Sequence, residues 1–182
     1  ANIDSPFGFN RIITPHRFDS KIVDLLGVKF ILSLSDLDSP KLKKVFQEGA
    51  TRIYQNTNVK PRVFFVSKIL NGKDKKDVIE KMFAASFDPD RVAIVESADK
   101  EILNNKEFVI GKAAIVSYSE NKVVIEVENS GTGFLVFTDS FYPTWKVKID
   151  SALDKIYRTD YNFRGVIVPA KKHKVEFYSS LF

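Results

Sequence analysis

From Lys122 onward, apolar and polar residues alternate with a period of two. Lys122-Val-Val-Ile-Glu-Val-Glu128 sets Val123, Ile125 and Val127 on one face and Glu126 and Glu128 on the other. Lys146-Val-Lys-Ile-Asp150 and Lys174-Val-Glu-Phe177 alternate in the same way. Successive side chains of a strand point to opposite faces, so each run predicts a strand with one face inward. Turn signals fall between the runs at Glu120-Asn121, Gly131-Thr-Gly133, Asp150-Ser151 and Pro169-Ala170. Phe134-Leu-Val-Phe137 is apolar throughout, the pattern of a strand covered on both sides. Short strands at this spacing predict an antiparallel β-sandwich.

The first half mixes periods. Asp19 or Ser20 can cap a short helix carrying Ile22, Leu25 and Leu26, with Gly27 after it, where a left-handed residue costs least. Val28 to Leu32 reads as a strand, and Lys44 to Glu48 and Thr51 to Gln55 flank Gly49-Ala50 as a hairpin. Arg62 to Ser67 reads as a buried strand after Pro61. Asp74 caps a predicted helix whose stripe is Val78, Ile79, Met82 and Phe83, ending near Ser86, and Val92 to Val95 is a further strand. A polar connection from Ser97 to Lys106 suggests the boundary. The predicted class is therefore α+β, mostly β: a mixed α+β subdomain over residues 1–106 packed on an antiparallel β-sandwich subdomain over 107–182.

Composition agrees with a folded β-rich chain. Sixteen Phe, six Tyr and one Trp in 182 residues are most simply a core, because each buries a large area. The net charge of +5 divides evenly: residues 1–110 hold 18 Lys and Arg against 15 Asp and Glu, and residues 111–182 hold 10 against 8. Nucleic-acid binding needs clustered cations, so no nucleic-acid partner is expected. Zero cysteines exclude disulfides, thiolate nucleophiles and thiolate-ligated zinc. No stretch approaches the roughly 18 apolar residues of a membrane span. The chain starts at Ala1 without an initiator Met or a signal-peptide pattern, which predicts a soluble piece of something longer.

Candidate chemistry is sparse. With only His16 and His173, a His-rich metal site is not expected, and no metal or cofactor is predicted. There is no nucleophile elbow, Walker loop or dinucleotide fingerprint. Asp36-Leu-Asp38 and Asp88-Pro-Asp90 read as solvated loop acids, and residue order does not say whether any two carboxylates stand at glycosidase separation. His173, among Lys171, Lys172 and Lys174, reads as an inert surface-edge histidine, with pH sensing the special case.

The distinctive stretch is Thr138-Asp-Ser-Phe-Tyr-Pro-Thr-Trp-Lys-Val-Lys-Ile-Asp150, followed by Ile156-Tyr-Arg-Thr-Asp-Tyr-Asn-Phe-Arg-Gly-Val166 and Val168-Pro-Ala-Lys-Lys-His-Lys-Val-Glu-Phe177. Together these resemble the extracytoplasmic C-terminal region of YfhO-type bacterial membrane proteins. In that family a Ser/Thr-Asp-x-x-Tyr-Pro-Gly-Trp segment precedes an Asn/Asp-x-x-Phe-Arg-Gly-Val strand and a Pro-x-Gly-x-His strand. Asp24-Leu-Leu-Gly-Val-Lys-Phe-Ile-Leu32, Arg52-Ile-Tyr-Gln-Asn56 and Pro61-Arg-Val-Phe-Phe-Val66 are similar to segments of its first half. The order of the motifs, from about residue 20 to the end, is more specific than any one of them. Thr144, Ser151 and Lys171 or Lys172 stand where the family usually has Gly, and read as altered turn residues.

The resemblance implies a parent with many transmembrane helices, similar to integral-membrane glycosyltransferases that use polyprenyl-phosphate sugars. It would sit in a bacterial cell membrane with this domain on the extracytoplasmic side. The catalytic acid is then expected near the membrane-embedded half, and none of the catalytic residues in this piece. Its implied partners are its own transmembrane bundle and a cell-surface glycan or lipid-linked sugar. Two other readings remain: a secreted carbohydrate-binding module and a carboxylate-dependent glycoside hydrolase. The candidate carbohydrate-binding residues are Asp139, Tyr142, Trp145 and Arg164. In one reading the two aromatic rings stack on a sugar while Asp139 and Arg164 bind its hydroxyls. In the other, Pro143 sets a bend, Tyr142 and Trp145 pack beneath it, and Asp139 caps the turn through backbone amides. Residue type does not separate them, and packing with turn chemistry accounts for every residue named.

Overall fold

The computed structural model describes residues 18–97 and 107–179; His16 and the connection over 98–106 lie outside them. Strand accounts for 49% and helix for 9%, so the chain is mostly β as its alternation predicts. It divides into two compact units at Lys60/Pro61, whereas the sequence reading set the division at 106/107. The reason lies in pairing: strands after Pro61 join the same sheet as strands of the second half.

The first unit holds α1 (Lys21–Leu25) and the strands β1 (Phe30–Ser33), β2 (Leu42–Glu48) and β3 (Thr51–Asn56), in the order β1-β3-β2. The Ser20 side chain accepts the Ile22 N–H at the start of α1, and Gly27 follows with φ +73°. The helix buries Val23 and Leu25, and Leu26, expected on the same stripe, is 58% exposed. At five residues, α1 gives Val23 to a small core with Ile31, Leu42 and Tyr54 and is too short to bury Leu26 as well. Gly49-Ala50 joins β2 to β3 as the turn residues predict.

The second unit is a sandwich. One sheet has six strands in the order β4-β9-β13-β12-β6-β5: β4 (Val63–Val66), β5 (Lys68–Asn71), β6 (Val92–Val95), β9 (Gly133–Phe137), β12 (Tyr157–Thr159) and β13 (Phe163–Val168). The other has five in the order β11-β10-β14-β8-β7: β7 (Lys112–Tyr118), β8 (Lys122–Asn129), β10 (Trp145–Ile149), β11 (Ala152–Asp154) and β14 (Lys171–Ser179). Pairing is antiparallel except between β5 and β6, which α2 (Lys75–Phe83) connects. Such a parallel return needs a crossover.

The inward alternation of β8, β10 and β14 supplies Val123, Ile125, Val127, Val147, Ile149, Val175 and Phe177. These meet Val63, Phe65, Leu135, Phe137, Val166 and Val168 of the facing sheet. Strand β9 is central and covered twice: Leu135 and Phe137 enter this core, while Phe134 and Val136 enter a second one with Val66, Ala93, Val95, Phe108 and Tyr157. That is why residues 134–137 are uniformly apolar. On α2, Asp74 caps the helix through the Asp77 N–H, and Val78 and Met82 are buried. Ile79 and Phe83, expected on the same stripe, are 40% and 62% exposed. Nine residues present one narrow side, and Gly72 lets Val78 close onto it: a Cβ there would collide with Val78 and crowd Ile94.

Candidate functional site

The Thr138–Trp145 segment leaves β9 and enters β10, and its residues meet side chains from three other strands or strand ends. Thr138 N–H donates to the Arg62 carbonyl at 2.9 Å, which seats the segment beside the start of β4. The Asp139 carboxylate then receives Arg62 Nη1 at 2.6 Å and the Tyr118 hydroxyl at 2.7 Å, one on each oxygen. The hydrogen bond to Asp139, then burial, pushes the Tyr118 phenol up from its ordinary value. The Arg62 guanidinium also lies over the Tyr118 ring, 5.6 Å from its centre. The expectation that Asp139 caps its turn through backbone amides is therefore replaced by side-chain partners far away in sequence.

Arg164 projects from β13 and is 3% exposed. Its Nε and Nη2 donate to the Ser140 carbonyl at 3.0 and 2.8 Å. The face of the guanidinium lies 3.7 Å from the centre of the Trp145 ring, with Phe137 and Phe177 at 5.4 and 5.9 Å. Burial pulls its pKa down to about 10, opposed by the Asp139 charge, so the group stays cationic at neutral pH. The aromatic faces offset part of what the desolvated guanidinium loses in hydration. The next residue, Gly165, has no room for a side chain, since a Cβ would run into Phe134 and Thr159. The Arg-Gly pair thus aims a cation into one core and lets the other core close.

Of the four candidate carbohydrate-binding residues, the structure brings Asp139, Trp145 and Arg164 together: Asp139 is engaged by Arg62 and Tyr118, Trp145 carries the Arg164 guanidinium, and Arg164 Nη1 is buried with no hydrogen-bond partner among the described residues. Tyr142 stands apart: its carbonyl accepts the Trp145 N–H at 3.0 Å, and the residue is 60% exposed. It neither packs beneath the bend nor joins the others. Two of the carboxylates weighed as loop acids, Asp36 and Asp88, are also engaged. Asp36 takes Arg52 through two bonds of 2.9 and 3.1 Å and Lys44 at 3.1 Å. Hydrogen bonds from Lys44 and then Arg52 hold its carboxyl below the ordinary range. Asp88 accepts the Asp90 N–H in a local turn. Among the described residues, no cluster of His, Asp and Glu is placed to hold a metal ion.

Sequence reasoning missed three polar clusters. In the first unit, Asp24 is buried with Lys41 Nζ at 2.7 Å and Asn56 Nδ2 at 2.8 Å on the same oxygen. In the second, Asp160 is buried in the turn from β12 to β13. It exchanges two bonds with Ile94 of β6, one from its own N–H and one to its carboxylate, each 2.8 Å. Burial pushes its pKa up to about 7 against that single N–H. The third is a contact between His173 and Asp150. The motifs did flag Asp24, Asn56, Arg62 and Asp150, but nothing in local order says what each of them touches. Comparison of the chain with protein-family models, curated proteins and solved structures finds no match for any of them.

Proposed function

We propose that this chain is a noncatalytic extracytoplasmic domain of a multi-spanning bacterial membrane protein, one resembling polyprenyl-phosphate-sugar glycosyltransferases and serving cell-envelope glycopolymer glycosylation. The observation that carries the noncatalytic part is the occupancy of the motif residues. Asp139 is saturated by Arg62 and Tyr118, and Arg164 is buried between the Ser140 carbonyl and the Trp145 ring. A general acid or base needs a carboxyl able to reach substrate, and the Asp139 carboxyl is engaged on both oxygens; the Trp145 ring carries the Arg164 guanidinium, and Tyr142 stands open by itself, apart from the other candidates. The motif order supports the membrane-anchored parent. Among the described residues no helix is long and apolar enough to cross a membrane, so in this reading the spans belong to the parent's own bundle and this piece is accessory to it.

The test is topology in the source bacterium. An antibody raised against this chain should find it in the membrane fraction and lose its signal when intact protoplasts are treated with protease. Recovery in the soluble cytosolic fraction, or protection from external protease, would overturn the reading.

A further inference from the structure

We propose that His173 is a protonation-dependent clip that fastens two neighbouring turns at one end of the five-stranded sheet. The ring lies between acceptors on both sides: Nδ1 is 2.5 Å from Asp150 Oδ2, and Nε2 is 2.9 Å from the Ala170 carbonyl. A carbonyl cannot donate. The Asp150 carboxyl is held below its ordinary range, first by the Lys174 N–H and then by His173, so it is ionised and cannot donate either. A neutral imidazole carries one N–H and can satisfy only one of these acceptors, whereas an imidazolium satisfies both.

The two turns are joined by little else of this kind. Asp150 and Ser151 connect β10 to β11 with φ of +48° and +77°, the left-handed pair of a tight hairpin, here built without glycine. Asp150 also accepts the Lys174 N–H at 2.8 Å, and its own N–H donates to the Lys174 carbonyl at 3.0 Å. Those two bonds hold the β10 turn to β14 whatever the charge on the ring. Ala170 belongs to the β13–β14 turn, and Lys171 beside it has φ +96°, a costly conformation for a residue with a side chain. His173 alone ties that carbonyl to Asp150. Strand β11 is three residues long, exposed, and paired only with β10.

On β14, Lys171 opposes the proton. Lys172 and Lys174 stand opposite Glu128 and Glu126 of β8, and Lys112 of β7 stands opposite Glu128. Among the described residues, Asp150 is the carboxylate in contact with the ring. The Asp150 contact first, and the Ala170 carbonyl second, raise the pKa of His173 above the ordinary imidazole value. A basic group raised on folding contributes fully below its unfolded pKa of about 6.5, and the contribution is lost as pH rises through the folded value. The clip is therefore closed below the unfolded value and opens as pH rises through the raised folded one.

The test follows both histidine rings by NMR through a pH titration of the whole chain. His16 is the only other histidine and serves as an internal reference. His173 is expected to titrate above 6.5 with both ring nitrogens protonated below its pKa, and Asp150→Asn should lower that value. Above it, amide exchange at Ala170 and Lys171, corrected for its intrinsic pH dependence, should quicken about tenfold for each unit by which the folded pKa exceeds 6.5. His173→Gln should show no such step. A His173 pKa at or below 6.5, or the same exchange step in His173→Gln, would overturn the clip.

Discussion

The two units bury charge in opposite ways. In the small unit, the Asp24 carboxylate sits in the core with the Lys41 ammonium against it, and the Asn56 amide shares the same oxygen. Lys41 Nζ also donates to the Ser20 carbonyl at 3.0 Å, and Asn56 Nδ2 to the Val28 carbonyl at 3.1 Å. One ion pair thus ties the helix cap, the loop after the helix and two strands together. In the sandwich, Arg164 goes in without a carboxylate in contact. It is carried by one backbone carbonyl and three aromatic rings. The difference follows from what each core can supply. A small core such as that of the first unit has few apolar neighbours to give a charge, so a counter-ion must do it. The sandwich has aromatic faces to spare.

This contrast can be broken at either end. Asp24→Ala should have the largest effect, because it strands a buried ammonium: about 3–5 kcal/mol, read as loss of amide protection in β2 and β3. If that protection survived, the ion pair would not be what organises the unit. Arg164→Ala should cost less, about 2–4 kcal/mol, for the cavity and the unpaired Ser140 carbonyl. Arg164→Met, which keeps the stem against Trp145, should recover much of it if packing rather than charge matters there. Trp145 is the only tryptophan, so its fluorescence during urea unfolding follows the sandwich directly.

Asp160 sharpens the comparison as a buried charge site with no cation beside it. Its folded pKa of about 7 lies above the ordinary carboxyl value near 3.8. The stability it contributes is complete below the unfolded value and declines as pH rises to the folded one. Asp160→Asn keeps an acceptor for the Ile94 N–H and removes the titration. It should therefore gain on the parent at pH 8 by up to about 4 kcal/mol, with the gain vanishing near pH 4. Melting temperatures at the two values measure this. An equal shift at both would mean that the carboxyl does not titrate in the fold.

Much of the sandwich was legible in residue order because alternation reports which face of a strand meets the core, and that is a local property. Val123, Ile125 and Val127 were assigned to one face, and so they lie. The uniform run at 134–137 read as a doubly covered strand, and two cores do cover it. Helix stripes were read too widely at Leu26, Ile79 and Phe83, since the period gives the side of a helix but not how many residues a short helix can bury. The candidate site was legible in composition alone. Asp139, Trp145 and Arg164 come close together in the fold, yet residue order did not separate Tyr142 from them or connect Arg62 and Tyr118 to Asp139.

By itself the sequence determined the strands, the turns and the inward faces, because each depends on neighbours a few positions away. Tertiary structure alone decided that Asp139 finds Arg62 across 77 positions and that Arg164 closes over Trp145. It also decided that His173 meets Asp150 and Ala170 together. These contacts depend on which strands become neighbours and in what register: a shift of one residue in β13 would turn Arg164 to the opposite face, and one in β14 would do the same to His173.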